Sequence, residues 1–456
     1  MGLLGHSPPA IRNRAGACLR HGGDRTVEPL RAAAAAVPIP TQEDTTGLPP
    51  GQEAELRACA VVLEAEQRLC FVSCDTLIIP ADVQEASARQ ITAESGIPFA
   101  NLLICATHTH HAPCTIDILG CRRDAAFCQR LQAAMVQAVR EAWGALDEVE
   151  LLFAESQEAT VGCNSRYLLK DGTIAWYAYP WDWVVRPTGP FDPDLPVFAL
   201  RRPSGEMVGL LFNHSVHNIG ALTKGSLSPA FYGLAAQELE RRHGGVALFL
   251  PGAFGSSHNT GEFGSTENLH AVSSAECVHR VVAAVEQGLQ GAEPVPITPL
   301  AVLKRPFVYR MREFDEAQEE AAVKYWSETY LPENPEPNQR VFREMRAEMA
   351  PLQGQERQTR LQVIRLGEIA LVGIPGEMFA ALGLEIRRRS PFRWTYVIGL
   401  ANDTLGYIGN REAYELGGYQ LWAGLHSPSA PGTGEAMVEQ ALAMLRELRA
   451  QPTRPA

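Results

Sequence analysis

The sequence predicts an α/β fold: mixed β-sheets with antiparallel hairpins, flanked by helices, in a single large domain. Three observations predict it. Short apolar runs pair across turn residues, as at 196–201 and 208–213 around Pro203-Ser204-Gly205. Longer amphipathic stretches, such as 125–146, alternate with those runs. No linker cleanly divides the 456 residues. Hairpins placed between helices argue against a purely parallel barrel.

Residues 1–50 read as an irregular N-terminal segment. Within it the alanines at 32–36 read as a helical turn, because Ala has the highest helix propensity. The Pro and Gly density over 38–51 reads as loop. Residues 51–450 form the folded domain. Residues 60–63 and 69–73 are paired strands, 81–95 a helix and 101–105 a short buried strand. A long amphipathic helix covers 125–146, a strand 149–153, and the hairpin above follows. Residues 231–243 are helical, 246–250 a buried strand and 267–288 a further helix. The charged stretch 314–352 is helical but interrupted by Pro332, Pro335 and Pro337, and reads as a peripheral excursion or a lid. A hairpin joins 361–364 to 369–372 around Gly367-Glu368. A helix over 379–389, a strand over 396–400 and a helix over 434–450 complete the domain.

Composition narrows the function. Hydrophobic residues make up 46% and charged residues 20%, which suits a substantial core. A net charge of −12 with no basic stripe excludes nucleic acid as a natural partner. No apolar run approaches a membrane span or the core of a secretory signal, so a cytoplasmic protein is expected. None of the ten cysteines forms a CxxC pair, so reduced thiols are expected and a cysteine-built zinc site is not.

The chemistry concentrates in Ala106-Thr107-His108-Thr109-His110-His111-Ala112-Pro113, which follows the buried strand at 101–105. Residues two apart on a strand face the same way, so His108 and His110 meet beyond its end. Imidazole is both a zinc ligand and a proton shuttle, and the pair can serve either role or one of each. Four more apolar strands end in polar loops. These carry Asn213-His214-Ser215-Val216-His217, Pro251-Gly252-Ala253-Phe254-Gly255-Ser256-Ser257-His258-Asn259, Ile374-Pro375-Gly376-Glu377 and Asn402-Asp403-Thr404-Leu405-Gly406-Tyr407. Ligands gather where such loops converge. Two histidine clusters and one carboxylate suffice for zinc with an open position for water. Each residue also has a plainer reading. Glu377 supports the N-terminus of the helix at 379, His214 or His217 is satisfied in the core, and Tyr407 is a packing aromatic.

Taken in order, these segments resemble the neutral/alkaline non-lysosomal ceramidase family. Ser228-Pro229-Ala230-Phe231-Tyr232-Gly233 and Arg411-Glu412-Ala413-Tyr414-Glu415-Leu416-Gly417-Gly418-Tyr419 extend the match, which covers residues 55–425. The resemblance implies a zinc hydrolase that cleaves a linear, ceramide-like amide by metal-activated water. It implies Zn2+ ligands at His108, His217 and Glu377, with Tyr407 as a weak fourth contact. His110 matches the histidine that takes and returns the water's proton. Tyr419 matches a tyrosine that holds the scissile carbonyl, and Arg166 an active-site arginine. The implied partner is a small-molecule or lipid-like amide. Departures from the family include Ser256-Ser257-His258-Asn259, where substrate recognition is expected to differ. His111 stands in place of a small residue and is either a third site histidine or bulk narrowing the pocket. The family's C-terminal immunoglobulin-like domain is expected to be missing. Two other readings compete: a zinc hydrolase of a small soluble amide or ester, and a non-catalytic binding protein with the same fold. A metallo-β-lactamase-type site is disfavoured by Ala112-Pro113, and an amidohydrolase barrel by the hairpins.

Overall fold

The computed structural model describes residues 29–42, 47–176, 179–259 and 272–451. Three principal sheets share one plan. The first runs Leu102–Ala106, Arg68–Cys74, Arg57–Glu64, Arg31–Pro38 and Asp147–Glu148 from edge to edge. The second runs Val246–Pro251, Met207–His214, Asp194–Arg201, Glu150–Gln157 and Glu293–Pro294. The third runs Leu300–Arg310, Glu356–Leu366, Ile369–Gly373 and Trp394–Ile398. In each, an antiparallel hairpin is followed by a helical crossover and a parallel edge strand. The crossover helices are Ala81–Ser95, Ala230–His243 and Ala380–Arg389. A parallel neighbour requires such a long connection, because a tight turn can only reverse the chain.

The three sheets bury one face against each other and the other under helices. Along Arg57–Glu64, Cys59, Val61 and Leu63 enter a central core that also takes Leu211 and Leu248 from the second sheet and Ile364 and Leu371 from the third. Ala58, Ala60 and Val62 face the opposite way, onto Ala81–Ser95 and Ala125–Gly144. The strand's period of two thus serves two apolar environments, and it reads as a continuous apolar run. Ser274–Gln290 covers the second sheet and Thr433–Ala450 the third in the same way. Among the described residues no helix is long and apolar enough to cross a membrane.

The predicted class is the observed one, and most elements fall where the periodicity placed them. Ala81–Ser95 begins and ends at the predicted residues. The alanine run is a correction. Residues 31–38 form a strand paired along its length with Arg57–Glu64, not a helical turn in an irregular segment. Propensity loses to packing here. A Cβ at Gly209 would lie 3.4 Å from that of Ala34, so small residues let the first and second sheets approach. The early part of the irregular segment, residues 1–28, lies outside the described residues. So does the start of the helix predicted from 267, which is described from Ser274 with Ser273 as its cap.

The strand Leu300–Arg310 went unpredicted. It carries Pro306, Lys304 and Arg305 and shows no clean alternation. It lies at a sheet edge, where a missing N–H is tolerated. The 314–352 excursion is a pair of helices, Glu316–Tyr330 and Glu336–Met349. Its buried Arg346 is held by Glu316 and Glu320. Trp326 and Phe342 from this pair pack with Trp176 and Trp422, and Trp176 stacks on Tyr419 with centroids 4.3 Å apart.

Candidate metal centre

The parallel edge strands of all three sheets end at one place. The loop after Leu102–Ala106 turns sharply at His108, whose φ is +61°. This turn sends the His108 ring inward, where its Nδ1 lies 2.9 Å from the carbonyl of Leu77. His217 follows Met207–His214, and its Nδ1 lies 2.8 Å from the carbonyl of Ser257. Glu377 and Tyr407 are directly paired in a two-stranded parallel ladder, which sets carboxylate and phenol side by side. Gly255 packs onto that ladder so closely that a Cβ would lie 2.0 Å from the carbonyl oxygen of Glu377. Phe254 packs against the rings of both His108 and His217, 4.8 Å from each, and the two imidazoles lie 4.9 Å apart.

A carbonyl only accepts, so each Nδ1 carries the proton of a neutral ring and each Nε2 presents a lone pair. Both lone pairs face the same carboxylate oxygen. Glu377 Oε2 lies 3.1 Å from His217 Nε2 and 3.5 Å from His108 Nε2. Three electron-pair donors thus converge with no proton among themselves to share. Both distances are close to the ligand edge of a tetrahedral zinc site, roughly 3.4 Å. Burial pushes the His108 pKa well down, and the neighbouring His110 and His217 add to it, so the ring stays in the neutral form a metal requires. The Tyr407 hydroxyl stands 3.2 Å from His217 Nε2, and burial together with the nearby Glu377 carboxylate raises its pKa.

The ring nitrogens of His108, His110 and His217 lie within 4.8 Å of one another, a group that can hold a metal ion. His110 differs from the other two because its side chain reaches solvent. Desolvation by the protein atoms around the ring lowers its pKa, and His217 and His111 add to that, so the ring is neutral at neutral pH.

His214 is a core histidine, engaged by the Tyr232 hydroxyl and the Glu158 carbonyl. His111 accepts the backbone N–H of Gly220 at 2.9 Å and so anchors a neighbouring loop. Arg166 is buried, and its guanidinium donates to Gln420 Oε1, to the Gly417 carbonyl and to that of Ala413. Burial lowers its pKa to about 10, which leaves it charged at neutral pH. It supports the loop that carries Tyr419. Arg166→Met leaves those acceptors without their donor, so a urea titration is expected to show a loss of about 3 kcal/mol. A loss below about 1 kcal/mol would mean that the loop is held by other contacts.

In the sequence His258 belongs to the polar loop that follows 246–250 and to the departure from the family pattern at 256–259. It lies inside the site, with its ring 4.1 Å from that of His217 and its Nε2 3.0 Å from the Tyr419 hydroxyl. The carbonyls of Leu77 and Ser257 had no sequence signal at all, since any residue supplies a carbonyl. A separate hollow of about 470 Å³, lined by residues including Glu85, Arg89, Phe99 and Arg360, contains none of these groups.

No protein-family model matches the chain, and no curated protein matches it either. Solved structures do. Neutral ceramidase from Pseudomonas aeruginosa superposes with a TM-score of 0.70 at 18% identity, over 94% of this chain and 76% of that one. A ceramidase complexed with C2 gives 0.68 at 17% identity, over the same shares of the two chains. The likeness suggested by the ordered segments is therefore present in three dimensions, and this chain has the neutral ceramidase fold.

Proposed function

We propose that this protein is a zinc-dependent hydrolase of a linear, ceramide-like N-acyl amide. The observation that carries the reading is the convergence of His108 Nε2, His217 Nε2 and Glu377 Oε2 on one point. The ceramidase fold supports the substrate class. A zinc ion held by His108, His217 and Glu377, with Tyr407 at its side, would supply a Lewis acid for the amide carbonyl and for water.

The remaining roles fall to the chain itself. His110 is neutral and open to solvent, so it is placed to take a proton from water and pass it to the leaving amine. Tyr419 is buried and keeps its proton, since burial raises its pKa. Its O–H is the donor for the oxyanion that forms when the carbonyl is attacked. Arg166 acts through the 413–420 loop to hold that hydroxyl in place.

The test is turnover of a short-chain ceramide with a fluorescent acyl group by the purified, zinc-loaded protein. Release of the labelled fatty acid, abolished by a chelator and restored by zinc, is the expected result. Turnover of small soluble amides or esters alone would replace the substrate class. Zinc binding with no turnover of any of them would leave a binding protein.

A further inference from the structure

Nine cysteines lie among the described residues, and all are free thiols. Six are buried, and only Cys121 is exposed. Its neighbour in space is another cysteine. The half-buried Cys114 is in hydrogen-bonding contact with it, thiol to thiol. Both belong to the segment that leaves His108, His110 and His111.

The backbone brings the two together. Ile118 and Cys121 exchange both N–H···O bonds across a tight turn, at 3.3 and 2.8 Å. The turn residues Leu119 and Gly120 have φ of +49° and +82°, the left-handed pair that such a two-residue turn requires. The chain then doubles back, and the Asp124 N–H closes the loop on the Cys114 carbonyl at 2.7 Å. The loop is fastened on both sides. The buried Thr115 donates through its hydroxyl to the Ile78 carbonyl. Ile118 packs against the aromatic cluster that contains Phe342 and Tyr419, and a Cβ at Gly120 would lie 3.3 Å from Val341 in the helix Glu336–Met349. Sulfurs already in contact need to close by only roughly 2 Å to reach the length of a disulfide.

We propose that Cys114 and Cys121 are a redox site, which closes to a disulfide under a peroxide and reopens under a dithiol. Cys121 faces solvent, so it meets the oxidant first. Its sulfur attacks hydrogen peroxide, the O–O bond breaks, one water leaves, and Cys121 becomes a sulfenic acid. The Cys114 sulfur then attacks the Cys121 sulfur, an S–S bond replaces the S–O bond, and a second water leaves. In sum the two thiols give up two electrons and two protons, and one peroxide becomes two waters. Burial, with the Cys121 thiol beside it, pushes the Cys114 pKa up to about 12, so Cys114 stays a thiol until it resolves its neighbour. The bond closes a ring over residues 114–121 and fixes the hairpin between the histidine loop and the helical pair Glu316–Tyr330 and Glu336–Met349. The inference stands apart from the proposed activity.

The experiment takes the full protein, reduced with dithiothreitol, desalted and exposed to hydrogen peroxide, with the remaining thiols then alkylated. Asp117 lies between the two cysteines, so cleavage before aspartate separates them unless a disulfide joins their peptides. Mass spectrometry is expected to show the joined pair, and dithiothreitol is expected to release it. Cys105 shares the peptide of Cys114, so Cys114→Ser identifies the partner: the link must vanish. In that variant Cys121 should remain a sulfenic acid and be trapped by dimedone on the order of tenfold more than in the wild type. A link that survives Cys114→Ser would overturn the inference. So would wild-type protein in which Cys114 is alkylated in full after peroxide, whether Cys121 is alkylated too or trapped by dimedone.

Discussion

Glu377→Gln, His108→Ala and His217→Ala are each expected to retain less than about a tenth of the wild-type zinc, because each removes one of three convergent donors. Activity should fall by at least about a thousandfold, since Lewis-acid stabilisation of the transition state is worth several kcal/mol. Glu377→Gln is the most informative of the three. In the metal-free protein its carboxylate oxygen faces two imidazole lone pairs at 3.1 and 3.5 Å, and neither of those two contacts contains a proton. The amide puts an N–H into that gap. Metal-free Glu377→Gln should therefore melt no lower than metal-free wild type, although it no longer binds zinc. Plasma mass spectrometry on dialysed protein gives the metal content, and calorimetry with and without a chelator gives the melting temperatures. Full zinc retention by all three variants would place the metal elsewhere.

His110→Ala is expected to keep its zinc and lose about 100- to 10,000-fold in kcat, the usual contribution of a positioned acid or base. The separation of His110 from its neighbours is structural. His108 and His217 each spend Nδ1 on a backbone carbonyl and face Glu377 with Nε2, whereas His110 has a solvent-reaching ring. Yet the three rings form one cluster, so metal content is the deciding measurement. Zinc lost together with activity would make His110 a ligand and leave the proton to another group. Zinc retained with activity intact would mean that solvent itself carries the proton.

Much of this architecture is legible in the chain. Helices such as Ala81–Ser95 and hairpins such as Asp194–Arg201 with Met207–His214 follow from apolar period and turn residues, both of which are local. The strand Arg31–Pro38 is not local in this sense. Five successive alanines favour a helix until a neighbouring strand and the approach of Gly209 reward an extended chain. The edge strand Leu300–Arg310 was hidden for a related reason, since an edge accepts Pro306 and charges that a central strand would not.

The candidate site divides along the same line. Residue types written in the sequence determined which groups are available: histidines two apart after a buried strand, a glutamate and tyrosines at later strand ends. Tertiary structure alone decided which partner each one meets. His217 is aimed at Glu377 while His214, three residues before it, is used up in the core. His111 props a loop, Arg166 supports Tyr419, and His258 meets the Tyr419 hydroxyl. The physical reason is that a side chain's chemistry belongs to its own residue, whereas the direction of its proton depends on its partner. Here those partners are carbonyls and hydroxyls of distant segments, such as Leu77, Ser257 and Tyr407, which only the packing of three sheets brings within 3.2 Å.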